Sequence, residues 1–501
     1  MPSESAPPRT PDTNATPPEA PAGMGREKLQ ILLLLAAAQF LVVLDASITN
    51  VALPSIGSAL DVVQSDLAWV VNAYVLTFGG FLLLGGRMAD LIGRRRIFAA
   101  GLVLFAVASL TAGLAQDETM LIVSRAVQGL GAALLSPAAL SIVTSTFLEG
   151  RERNTALGVW GAVAGAGGAV GVLLGGVLTE YLSWRWVFLV NVPVVALVLF
   201  LVPRVLHESR AEKRVRKYDV PGAVTVTAGL SLLVYALVNA NDAGWSSGET
   251  LGLAAGAVAL IVAFLVIESR TADPLVPFDI FGSRTRNASY IVGLLLAASL
   301  FSMFFFVSLY MQQVLGWKAL KAGLAYLPLA VTIMVGAGVG SGLANKIGFK
   351  PVLALGMTFT ALGLLWFTQI SVDGTFLGDI LGPSMVAALG LGLAFPGSTV
   401  GGTSGVREEE AGLASGLINS AQQVGGAVGL AVLSALATSK TGDVLAAAHG
   451  ADAARLGALT DGFQRAFTVG AGFAVVGAIL TLALIRTSDS KAAISAEAPI
   501  V

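Results

Sequence analysis

A chain of 501 residues with 55% hydrophobic content, 12% charged residues and a mean hydropathy of +0.80 falls outside the soluble globular class, which carries about 25% charged residues. Its net charge of −1 leaves no footprint for nucleic acid, and zero cysteines exclude disulfides, thiol nucleophiles and thiolate metal sites. The two histidines, His207 and His449, fall in predicted loops, so neither metal nor cofactor is expected.

Residues 1–28, rich in Pro, Ala, Ser and Thr, read as a disordered cytoplasmic tail. The apolar run beginning beyond Arg26 is too long for a signal-peptide core and is expected to remain as a membrane span. From there, apolar segments of about 20 residues recur, each able to cross ~30 Å of hydrocarbon. They lie near 29–52, 67–86, 97–115, 119–147, 155–180, 186–206, 221–240, 250–268, 288–311, 321–344, 351–370, 376–400, 411–437 and 463–485. That pattern predicts an all-α integral membrane protein with fourteen transmembrane helices. With the N-terminus inside, 23 of the 30 Lys and Arg residues are cytoplasmic, six are external and Arg125 lies within a span. Both termini are therefore expected in the cytoplasm.

An internal repeat divides the chain. Gly85, Ala89, Asp90, Ile92 and Gly93 recur 255 residues later as Gly340, Ala344, Asn345, Ile347 and Gly348. The glycine-rich fifth span likewise has a counterpart from Gly412 to Gly429. Spans 1–6 thus match spans 9–14, giving six-helix bundles over 29–206 and 288–485. An inserted pair, 207–287, separates them, and 486–501 form a cytoplasmic tail. Two such halves are a transporter architecture, with substrate held between them near the bilayer midplane.

The first span carries Asp45 some 16 residues, or about 24 Å, from its start, too deep to snorkel back. A carboxylate there costs roughly 2.5–3.5 kcal/mol on insertion scales, so it needs a partner, a water-filled cavity or a task. The plainer alternative ends the span at Asp45 and leaves it among headgroups. In the fourth span Arg125 lies about 9 Å below the outer end, level with Asp45. Paired with arginine, an aspartate stays ionised; separated from it in an apolar site, it takes up a proton. Asp45 and Arg125 are therefore candidate proton-coupling residues, with a static ion pair as the alternative. Asp379, a few residues into span 12, is a second acidic candidate.

Between spans 2 and 3, the segment from Gly86 to Arg96 places Asp90 between glycines and ahead of three arginines. Gly86, Asp90, Gly93, Arg94 and Arg95 are read as a cytoplasmic latch, with an ordinary positive-inside loop as the alternative. In the fifth span, Gly161, Gly165, Gly171, Gly175 and Gly176 have the spacing that lets helices approach closely. Asn72, Gln128, Phe304, Asn419 and Gln423 are candidate substrate-cavity residues, with helix packing as the competing role for each. Asp66 and Asp219 read as helix N-caps. No glycine-rich loop followed by Lys-Ser/Thr is present, so ATP is not expected as the energy source.

These segments carry a resemblance. The stretches 44–54, Trp69 to Tyr74, 86–96, Arg125 to Gly131, Trp184 to Phe188 with Asn191 to Pro193, and Leu413 to Gly429 resemble the major facilitator superfamily. Specifically, they are similar to its fourteen-span drug:proton antiporters, the EmrB/QacA-like branch. Two positions depart from the pattern: Val172 stands where that family's motif usually has proline, and Asn345 where the second-half loop often has an acid. The resemblance implies efflux of small amphipathic or cationic compounds by alternating access, driven by protons and coupled through Asp45. The same fold with a metabolite, lipid or siderophore as cargo is the alternative. A membrane enzyme would need clustered ligands at one face, and a sensor would need a soluble domain; neither is seen in the sequence.

Overall fold

The computed structural model describes residues 25–147, 151–208, 219–271, 274–406, 411–448 and 454–490; most of both predicted tails, and His449, lie outside them. Sixteen α-helices and no strand occur among the described residues. The first half comprises α1 (Arg26–Leu60), α2 (Gln64–Ile92), α3 (Arg94–Gly113), α4 (Glu118–Thr146) and α5 (Arg151–Tyr181), then α6 (Trp186–Leu189) and α7 (Asn191–Val205), which make one span. The inserted pair is α8 (Val220–Ala243) and α9 (Gly248–Arg270). The second half comprises α10 (Arg284–Leu309), α11 (Ala319–Ala325) and α12 (Leu327–Ile347), α13 (Phe349–Phe367), α14 (Gly382–Gly402), α15 (Ala411–Ala447) and α16 (Arg455–Leu484). Helices are what such a sequence must form in lipid, where each backbone N–H and C=O has to be satisfied within the segment.

Thirteen helical segments among the described residues are long and apolar enough to cross a membrane, judged by length and composition. The remaining expected span is α5, a 31-residue helix whose apolar stretch, Ala166–Tyr181, is shorter. Two sequence expectations change. The latch segment is almost entirely helical: Gly86 to Ile92 end α2, and Arg94 begins α3. Only Gly93 interrupts them, at φ +128°, where a side chain would be strained. The long outer loop expected between spans 13 and 14 is shortened from both sides: α15 runs on to Ala447, and α16 begins at Arg455.

Small residues set the helix spacing. A side chain on Gly85 would run into the Ala133 carbonyl, and one on Gly129 into the Tyr74 carbonyl, so α2 and α4 touch backbone to backbone. The two halves meet at the face opposite the chain ends. There Ser308 Oγ donates to the Asn50 carbonyl at 2.9 Å, and Gln312 Nε2 donates to the Val51 carbonyl at 3.0 Å. Gln312 lies in a π-helical turn, Tyr310–Val314, that extends α10. Also at that face, Glu180 at the end of α5 accepts from the Leu320 N–H of α11 at 3.1 Å and pairs with Lys318 at 3.7 Å.

Candidate functional site

Most polar side chains of the first helix stay with their own backbone. Ser47 Oγ, Thr49 Oγ1 and Asn50 Nδ2 donate to the carbonyls of Val43, Asp45 and Ala46 respectively, one turn back. Asp45 instead leaves its helix. It is fully buried, and side chains from α4 and α7 reach it. Arg125 Nη1 of α4 donates to Oδ2 at 2.5 Å, while Gln128 Nε2 of α4 and Asn191 Nδ2 of α7 donate to Oδ1 at 2.7 and 2.8 Å. Ser109 of α3 closes the ring: its Oγ accepts from Gln128 and Asn191 at 3.2 and 3.0 Å and donates to the Phe188 carbonyl at 2.9 Å.

Arg125 has partners besides Asp45. Its Nε donates to the Val70 carbonyl at 2.9 Å and its Nη1 to Gln128 Oε1 at 2.7 Å. Its guanidinium carbon lies 4.4 Å from the centre of the Tyr74 ring, a cation–π contact from α2. The arginine thus retains two acceptors and an aromatic face if Asp45 is neutral. That is the property a separable ion pair needs, since a buried guanidinium stripped of all partners is prohibitively costly.

The fifth-span glycines seat this site. Side chains on Gly171 and Gly175 would strike Ser47 and the Ile48 carbonyl, so α5 lies directly against the Asp45-bearing part of α1. Gly176 faces the second half instead, where a Cβ would come within 2.8 Å of the Ala319 carbonyl. The surroundings of Gly161 and Gly165 lie outside the described residues. Val172 is accommodated in an unbroken helix, with Gly323 of α11 closing on its carbonyl.

The basic segment is held by a residue outside the predicted latch. Glu208, just beyond α7, accepts from the Arg95 N–H at 3.2 Å and pairs with the side chains of Arg95 and Arg96 at 3.9 and 3.6 Å. Asp90 is exposed and pairs with Arg94 at 3.3 Å, one turn on. Gly86 has only ordinary contact with Pro137, 3.5 Å from where its Cβ would sit.

The sequence profile described as Major Facilitator Superfamily matches residues 35–430, a stretch that contains the whole Asp45 network. The chain belongs to the Major Facilitator Superfamily. Among its relatives, the puromycin resistance protein pur8 of Streptomyces alboniger is 40% identical over 481 residues, covering 95% of this chain and 94% of that one. The cephamycin export protein CmcT of Amycolatopsis lactamdurans is 44% identical over 414 residues, covering 82% and 85%. A bacterial homolog of the human lysosomal transporter Spinster, solved inward-facing and unoccupied, shares the fold at a TM-score of 0.67 and 17% identity, over 93% of this chain and 99% of that one. This facilitator is a transporter, not an enzyme.

The other candidate residues of the facilitator fall in different places. Gln128 belongs to the Asp45 network and is fully buried. Asn72 is fully buried, with neither side-chain polar atom hydrogen-bonded. Phe304 stacks on Tyr326 at 5.3 Å, with the rings 7° from parallel. Asn419 is exposed, and Gln423 packs against Gly79 of α2. Asp379 sits in the π-turn before α14, accepting from the N–H groups of Ser371 and Thr375 at 3.2 and 2.8 Å, and so ties down its own loop. Asp219 caps α8 by accepting from the Gly222 N–H at 2.9 Å, whereas Asp66 lies in the first turn of α2 behind the Val63 cap. Sequence reasoning did not assign Asn191, Ser109 or Glu208. Asn191 carried a usable signal, an amide inside an otherwise apolar span.

Proposed function

We propose that this facilitator is a proton-coupled exporter of small amphipathic molecules, drugs or secondary metabolites, working by alternating access with both termini in the cytoplasm. The observation that carries this reading is the fully buried Asp45–Arg125 pair, inside two spans and separable without stranding the arginine. The names of the relatives, a puromycin resistance protein and a cephamycin export protein, supply the class of cargo. With the chain ends inside, the Ser308–Asn50 and Glu180–Leu320 contacts close the outer face. Opening that face admits a proton to Asp45, and protonation releases Arg125 to Val70, Gln128 and Tyr74. Return to the inward state delivers the proton to the cytoplasm. The Glu208 clasp tethers the α2–α3 turn to the end of the sixth span, so these elements move together.

The test is proton release from everted vesicles carrying an imposed pH gradient, when puromycin or one of a panel of cationic dyes is added. Wild type is expected to dissipate the gradient on substrate addition, and Asp45→Asn to bind substrate without doing so. Equal proton release by both proteins sinks the assignment of coupling to Asp45.

A further inference from the structure

The repeat creates two lateral seams between the halves, and they should be alike. In one, α2 meets α15: Ser420 Oγ donates to the Gly79 carbonyl at 3.1 Å, and Gly416 lies under Leu83. In the other, α5 meets the span formed by α11 and α12, with Gly176 and Gly323 closing on the partner backbones. Since α2 matches α11–α12 and α5 matches α15, each seam is the repeat image of the other. The inserted pair breaks this equivalence.

Helix α8 packs against both α2 and α15 and so lies over the first seam. Its Thr227 fills the space above Gly80, Tyr235 meets Trp69 with ring centres 6.3 Å apart, and Ala223 joins Leu84 and Leu275 in a buried cluster. Val276, following α9, packs both on that cluster and on the one holding Ile418 of α15, bridging the halves. Leu76 and Leu84 on this face of α2 are 1% and 6% exposed. At the repeat offset of 255 their counterparts on α12, Val331 and Val339, are 55% and 48% exposed, and Val335, the counterpart of Gly80, is 58% exposed. One stripe is covered by the hairpin; its image is uncovered.

We propose that the inserted hairpin is a side wall that closes one of the two lateral seams, leaving the other, along the Val331–Val339 stretch of α12 beyond the Gly176 and Gly323 contacts, as the route by which membrane-dissolved substrate reaches the space between the halves. The wall follows from packing alone. The route rests on the exporter reading above.

The first experiment is independent of transport. The protein is reconstituted with a phosphatidylcholine carrying a photoactivatable group on its acyl chain, and adducts are mapped by peptide mass. Adducts are expected on Val331, Val335 and Val339 and not on Leu76, Gly80 or Leu84. Adducts on Leu76 or Leu84 at the level of Val331 overturn the side wall. Gly80→Leu, which pushes Thr227 away, is expected to add α2 adducts; the wild-type map decides the matter even if that variant does not fold.

The second experiment uses the cysteine-free chain. A bulky maleimide on Val335→Cys is expected to abolish export of a bilayer-partitioned cationic dye, and the same label on Val224→Cys, on the lipid side of α8, to leave it intact. Equal loss, or no loss, at both sites overturns the route. A wild type that moves no dye fails the exporter reading and with it the route, while the lipid map still decides the side wall.

Discussion

The network around Asp45 makes a quantitative prediction about charge pairing. Asp45→Asn leaves Arg125 buried without a counter-ion, and Arg125→Gln leaves Asp45 with only the amides of Gln128 and Asn191. Removing one partner of a buried pair costs about 3–5 kcal/mol, with Asp45→Asn at the lower end because Arg125 keeps the Val70 carbonyl, Gln128 Oε1 and the Tyr74 face. In the double variant both charges are gone, and the losses reduce to neutral hydrogen bonds of about 0.5–1.5 kcal/mol each. The double is therefore expected to be more stable than either single, by about 2 kcal/mol. The swap Asp45→Arg with Arg125→Asp should not recover that stability. It sets a guanidinium against the donors of Gln128 and Asn191, and a carboxylate against the Val70 carbonyl and Gln128 Oε1. The assay is half-loss temperature of the monodisperse species by size-exclusion chromatography, at one heating rate because unfolding of such proteins is kinetic. Additive losses in the double variant, or a swap more stable than the neutral pair, would refute the assignment of donors and acceptors.

Asn191→Leu removes a hydrogen bond to a charged acceptor and is expected to cost about 1.5–3 kcal/mol, read in the same thermal assay, and to lower substrate-driven proton release. An unchanged temperature and unchanged proton release would take Asn191 out of the network. Gly85→Val forces a side chain into the Ala133 carbonyl, so a loss of at least about 1–3 kcal/mol is expected. Gly86→Ala, one residue on, meets only Pro137 and should be tolerated; equal yields of folded protein from both would show that α2 and α4 are not in backbone contact.

The helices and the Asp45–Arg125 pair were legible because lipid leaves few solutions and makes a charge inside an apolar run conspicuous. Gln128 was legible as a polar residue but was placed among cavity residues. Its position three residues after Arg125 puts it on the same helix face, which was the missing clue. Asn191 meets Asp45 across 146 residues of sequence, and no local pattern reports a contact of that separation. Glu208 was hidden beside a run of basic residues that reads as a solvated loop. The place of α8 could not be read because hydropathy fixes a span and not the neighbour it leans on.

All of the side chains that hold Asp45 come from the first half, between Tyr74 and Asn191. The second half, among its described residues, buries hydroxyls and Arg286 but no carboxylate. Grafting residues 284–490 from a sister protein would leave this ring of donors and acceptors native in every member. The two halves thus carry unequal electrostatic loads: the first encloses a buried circuit of charges and amides, while the second, among its described residues, is held by apolar packing and hydroxyls.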